Sequence, residues 1–149
     1  MEHRATAMVS YEDVDAAADF AIEAFGFAQR GDRLTDDAGR VTHVELEYRG
    51  ATVMFGWPGP AYQDPRKHAG TCAGAAAWLS TPFVIDGVLV TVEDVEAHRA
   101  RAAAAGAEIL RDLEEAPPGR LYAAADPAGH RWMFLESLDR GEHHDDGQR

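Results

Sequence analysis

His43, Glu45 and Glu47 alternate with Val44, Leu46 and Tyr48. On a strand, that spacing sends one imidazole and two carboxylates to one face and the apolar side chains to the other. His43 beside Glu45 is a candidate acid–base pair. A second group of residues is soft rather than acidic. Met8, Met54 and Met133 carry flexible, polarisable thioethers that suit an irregular apolar surface. Trp57, Trp78, Leu89 and Tyr122 could add stacking and apolar contact, and Arg131 could meet a polar or anionic group. No other catalytic pattern stands out: the chain has no Gly-x-Ser-x-Gly, no phosphate-binding loop and no dinucleotide-binding glycine pattern.

The elements that must hold these residues come in two copies. Glu12-Asp13-Val14-Asp15-Ala16 recurs 81 residues later as Glu93-Asp94-Val95-Glu96-Ala97. Gly26 recurs as Gly106, and Gly50, Met54 and Phe55 recur as Gly129, Met133 and Phe134. Three landmarks in one order, with nearly constant spacing, indicate a duplicated half-domain rather than a solenoid. Each half reads strand, helix, then three strands. The first strands span about Ala5 to Tyr11 and Gly87 to Val92. Asp13 and Asp94 are placed to cap helices of about Val14 to Ala24 and Val95 to Ala105, which Gly26 and Gly106 end.

The remaining strands are expected at about Ala28 to Leu34, Val41 to Tyr48 and Thr52 to Trp57, and at Glu108 to Leu113, Arg120 to Ala125 and Arg131 to Ser137. Asp126-Pro127-Ala128-Gly129 reads as a turn, and His130 after it as a turn-stabilising residue. His98 interrupts the apolar stripe of the second helix and is expected to pack rather than to bind. The domain is expected to cover residues 1–138, with module one at about 4–57, a connection at 58–82 with a turn of helix near Ala73 to Leu79, and module two at about 83–138. The tail, residues 139–149, has an acidic and His-rich composition and is expected to be disordered.

The net charge of −12 argues against nucleic acid and anionic membrane as partners, since both require basic surface. The single cysteine, Cys72, has no partner for an internal disulfide. No stretch approaches the run of about 20 apolar residues that spans a bilayer, and the N-terminus lacks a signal-peptide core, so a cytoplasmic protein is expected.

The segments YEDVDAAADFAIEAFGF, HVELEYRG-ATVMFG, VTVEDVEAHRARAAAAGAEI and DPAGHRWMFLE together resemble the vicinal oxygen chelate superfamily, the glyoxalase, bleomycin-resistance and extradiol dioxygenase group. The resemblance runs from about Arg4 to Glu136. It implies an α+β fold of two tandem βαβββ modules, forming a curled mixed sheet around a cleft, with homodimers common. In the metalloenzymes of that group, His and Glu ligands come from the first and last strands of each module. Counting from the strand motifs places those positions at Thr6, Met54, Gly87 and Met133. None is an imidazole or carboxylate suited to a hard divalent ion; Asp86 is the only donor one residue away.

The expectation is therefore a metal-independent protein without cofactor. It would be a homodimer that sequesters an apolar or aromatic small molecule, as antibiotic-resistance members do. Met8, Met54, Trp57, Trp78, Leu89, Tyr122, Arg131 and Met133 would line its cleft. The alternative is a glyoxalase-like lyase or isomerase, or a dioxygenase, with a displaced metal site or with His43 and Glu45 moving protons.

Overall fold

A computed structural model describes residues 4–80 and 87–138. Asp86 and the tail from residue 139 lie outside the described residues. Module one contains β1 (Ala7–Ser10), α1 (Val14–Phe25), β2 (Ala28–Thr35), β3 (Val41–Tyr48) and β4 (Ala51–Gly56). Two helices follow, α2 (Pro65–Ala69) and α3 (Ala73–Ser80). Module two repeats the first: β5 (Val88–Thr91), α4 (Val95–Ala104), β6 (Glu108–Ala116), β7 (Gly119–Ala125) and β8 (Arg131–Ser137). The connection thus holds more helix than its Pro- and Gly-rich composition suggests. Pro65 opens α2 at a position where its missing N–H costs nothing.

The caps are where the repeat puts them. Asp13 accepts from Ala16 N at 3.0 Å and Asp94 from Ala97 N at 2.9 Å, so each carboxylate satisfies an orphan N–H of its helix. Gly26 ends α1 in the left-handed region, at φ 76°. The free carbonyls of Ile22 and Glu23 at that end accept from the Arg101 guanidinium of α4, which ties the two helices together.

The strands form two four-stranded mixed sheets, ordered β1-β4-β3-β2 and β5-β8-β7-β6. In each, the first strand pairs parallel with the last and the rest are antiparallel. These are the two tandem βαβββ modules expected, and no ladder joins their sheets. β1 and β5 are edge strands, and cavities rather than a hydrogen-bonded ladder lie between them. Neither strand places a regular row of N–H and C=O groups opposite the other. Packing, not pairing, joins the modules.

That packing is a shared aromatic core on the helix side of both sheets. Phe25, at the end of α1, lies 5.4 Å from Trp132 and 4.9 Å from Phe134 of β8, centroid to centroid. Phe27 and Phe55 of module one also contact Trp132, at 5.7 and 6.0 Å. Phe25, Phe55, Trp132 and Phe134 are all fully buried, each contributing roughly 1.5–3 kcal/mol by leaving water.

Two buried polar clusters cross the same junction. Asp126 accepts from Tyr11 Oη at 2.6 Å and Trp132 Nε1 at 3.1 Å on one oxygen, and from the N–H groups of Gly129 and His130 on the other. The turn that β8 requires therefore also anchors module one. His98 packs as expected: its Nε2–H donates to Phe25 O at 2.8 Å, and Nδ1 accepts from Tyr122 Oη at 2.6 Å.

Tyr122 itself corrects the sequence reading. It was expected in the cleft, as the counterpart of His43. β7 instead places it opposite Phe134, fully buried on the helix side, where Val44 opposes Phe55 in module one. The equivalent positions are one residue off the assumed alignment, and one residue reverses the face of a strand.

Candidate functional site

The faces opposite the core carry the chemistry. Register partners in adjacent strands share a face, so the ladders define rows. In module one Met8 pairs with Met54, Met54 with Glu45, and Glu45 with Arg30. In module two Leu89 pairs with Met133, Met133 with Ala123, and Ala123 with Arg111. The two rows occupy equivalent places in the two modules. Met54 and Met133 are half-buried, whereas Met8 is 78% exposed and Leu89 57% exposed.

Across from Met54 and Met133 lie Met8 and Leu89. Thr6 and Gly87 come two residues earlier than Met8 and Leu89 along the chain and border the cavity between β1 and β5. Neither these two nor Met8, Met54, Leu89 and Met133 offer an imidazole or carboxylate. Thioethers and an isobutyl group do not fit a hard divalent cation that prefers oxygen and imidazole. Among the described residues no group of three or more His, Cys, Asp or Glu side chains could hold a metal ion.

His43, Glu45 and Glu47 do project to the face that Met54 occupies, since Val44 and Leu46 are wholly buried on the other. His43 Nε2 and Glu45 Oε1 lie 3.9 Å apart, each side chain about a third exposed (31% and 32%). That separation exceeds a hydrogen bond. His43 is flanked in its row by Gly56 of β4 on one side and Leu34 of β2 on the other.

Three further candidates meet elsewhere. A cavity of about 260 Å³ between α3 and the β7–β8 turn is lined by Tyr62, His68, Trp78, His130 and Arg131. A second, of about 490 Å³, shares Tyr62, His130 and Arg131 and adds Met8, Ser10 and Trp132. Trp78 lines the first cavity and Met8 the second, and Arg131 borders both. Arg131 is buried and donates to the carbonyls of Trp78 and Leu79 in the last turn of α3, where a cation suits the helix dipole. His130 Nε2 donates to Ser10 O at 2.6 Å, and Tyr62 Oη donates to the same carbonyl at 2.9 Å. His130 therefore stabilises more than its own turn: it holds β1 to module two. Tyr62 was not foreseen, because it lies in a connection without periodic pattern.

A third cavity, about 710 Å³, runs between β1 and β5 and includes Thr6, Thr52 and Leu89. None of these cavities is lined by Met54, Glu45 or Met133. The two methionine faces differ in exposure: His43, Glu45 and Met54 are half-buried in module one, whereas Leu121, Ala123, Arg131 and Leu135 around Met133 are buried. Trp57 stands apart from them. Its ring packs partly on the core, and the Arg40 guanidinium covers it at 4.0 Å.

Paired βαβββ modules with one shared core, carrying their polar and thioether groups on the outer sheet faces, define a class of protein that comparison makes specific. Residues 4–134 match the model of the Glyoxalase/Bleomycin resistance protein/Dioxygenase superfamily, and the chain belongs to that family. An uncharacterized protein of Mycobacterium bovis, Mb0911c, is 34% identical over 124 residues, covering 83% of this chain and 76% of that protein. The crystal structure of TioX from Micromonospora sp. ML1 matches with a TM-score of 0.67 and 30% identity, over 92% of this chain and all (100%) of that one. TnmS3, an antibiotic binding protein from Streptomyces sp. CB03234, shares the fold with a TM-score of 0.60 at 20% identity, over 92% and 98% of the two chains. No helix among the described residues is long and apolar enough to cross a membrane.

Proposed function

We propose that this protein is a metal-independent small-molecule binder that encloses an apolar or aromatic ligand between methionine-bearing sheet faces, as a homodimer. The observation that carries this reading is the pair of equivalent rows, Met8–Met54 and Leu89–Met133, whose side chains offer no hard donor. Thioether and isobutyl groups give a deformable apolar bed and no grip on a hard cation. The exposure of Met8 and Leu89 supports a second copy as the other wall, since large apolar side chains on a shaped face mark binding surfaces. The antibiotic-binding activity of a structural relative is consistent with this reading.

The test is a tryptophan-quenching and thermal-shift screen of the full chain against planar apolar compounds, with elemental analysis of tag-free protein. Saturable binding by protein without stoichiometric metal is expected. Stoichiometric zinc, nickel, manganese or iron, or indifference to every planar compound, would overturn it.

The enzymatic alternative rests on His43 and Glu45, which share the face but stand 3.9 Å apart. A substrate would have to draw them together. Turnover of a bound compound that His43→Gln abolishes would favour that alternative over simple enclosure.

A further inference from the structure

Away from the methionine rows, the cavity of about 260 Å³ between α3 and the β7–β8 turn has a lining whose charge runs against that of the chain. The protein carries 26 Asp and Glu residues against 14 Lys and Arg, yet among the described residues no carboxylate lines this cavity. Its wall holds the imidazoles of His68 and His130, the Arg131 guanidinium, the Gln63 amide and the rings of Tyr62 and Trp78. Two carboxylates lie within electrostatic reach of His130 but face elsewhere. Asp126 accepts from Tyr11, Trp132 and its own turn, and Asp64 accepts from the Glu12 N–H at 2.9 Å. Both line a separate cavity of about 210 Å³ with Tyr11 and Phe20.

The groups on the wall divide into those already committed and those still available. Arg131 donates to the carbonyls of Trp78 and Leu79, so it fixes the end of α3 over the cavity. His130 gives Nε2 to Ser10 O, and Tyr62 Oη donates to the same carbonyl. Trp78 Nε1, the Gln63 amide and the His68 imidazole make no hydrogen bond among the described residues. These three side chains stand at the exposed mouth, whereas Tyr62 and Leu79 are half-buried. An acceptor that enters therefore meets donors at the rim and an aromatic and aliphatic wall behind them. The volume falls just below the roughly 300–1,000 Å³ that drug-sized ligands occupy, so the cavity suits a single ring.

We propose that this cavity is a binding site for a single-ring aromatic carboxylate. The carboxylate is held at the mouth by Trp78 Nε1, Gln63 and His68, and the ring lies inward against Tyr62 and Leu79. The absence of acidic side chains from the lining removes the repulsion that a protein of net charge −12 would otherwise present to an anion. The site is independent of the enclosure reading, because none of Met8, Met54, Leu89 and Met133 borders this cavity.

The experiment follows three probes of one shape by fluorine NMR on the full-length protein at neutral pH: 4-fluorobenzoate, 4-fluorobenzamide and 4-fluorobenzylamine. Saturable binding of the benzoate is expected, about tenfold tighter than that of the amide, with no binding of the ammonium probe. Trp78→Phe keeps a ring and removes the N–H, and His68→Ala removes an exposed imidazole. Each is expected to weaken the benzoate about fivefold, with unchanged far-ultraviolet circular dichroism. Met54→Leu is expected to leave benzoate binding unchanged. Equal binding of the three probes, no saturable binding by any of them, benzoate affinity that either cavity variant leaves intact, or affinity that Met54→Leu removes would overturn the proposal. Binding of planar apolar compounds at the methionine rows would stand in each of these cases.

Discussion

The carboxylate of Asp126 accepts four hydrogen bonds, two from its own turn and two from the Tyr11 and Trp132 side chains, while almost wholly out of water. Burial, followed by the charge of Asp126, holds the Tyr11 hydroxyl well above its usual pKa, so it remains a donor. An amide cannot accept on both sides. Asp126→Asn is therefore expected to cost about 2–4 kcal/mol in urea unfolding, because buried donors lose their partner. His98 gives a pH signature of its own. Burial lowers its pKa from the ordinary 6.5. The unfolded chain then takes up a proton more readily than the folded one, so stability is intact above pH 6.5 and declines as pH falls from there towards the folded value. Imidazole signals followed by NMR are expected to titrate below 6.5 for His98, and the urea midpoint to start falling below that pH.

At the level of elements, the duplicated caps give a matched pair of substitutions. Asp13→Ala and Asp94→Ala each remove one side-chain cap from an equivalent helix, and each is expected to cost about 1 kcal/mol. The two sites share no partner, so the double variant is expected to lose about the sum, read by thermal or chemical denaturation. The α2 segment behaves differently from a loose connection. Arg66 N donates to Ala128 O at 2.9 Å, and its guanidinium reaches Glu108 and Pro127 O. Gly129, at φ 97°, lies so close beneath it that a Cβ would come within 2.9 Å of Arg66 N. Gly129→Ala is therefore expected to destabilise more than Gly39→Ala. Gly39 also has positive φ, but nothing lies within 4 Å of its added Cβ.

For the molecule as a unit, the exposed apolar side chains of the edge strands, Met8 and Leu89, bear on assembly. Leu89 on β5 is exposed beside Met133, away from the core, so Leu89→Glu should leave the fold intact and disfavour a second copy on that face. Light scattering is expected to give a dimer for the native chain and a monomer for the variant, with unchanged far-ultraviolet circular dichroism. A native chain that runs as a monomer at high micromolar concentration would contradict the dimeric reading.

The duplicated βαβββ plan, both helix caps, the turn at Asp126–Gly129 and the packing role of His98 are legible in the order of residues alone. These follow from local rules: capping spacing, strand alternation and repeat offset act over a few residues and need no partner module. Alternation also placed His43, Glu45, Met54 and Met133 on their faces, since period two is fixed by the pleat. Which residues oppose one another follows from the packed sheets: Met8 faces Met54, Leu89 faces Met133, and Tyr122 turns from cleft to core beside Phe134, because pairing register is set by long-range packing. The joining of the modules through Asp126, Phe25 and α2 likewise comes from the folded chain, because how two sheets share one core depends on contacts as distant as Tyr11 with Asp126.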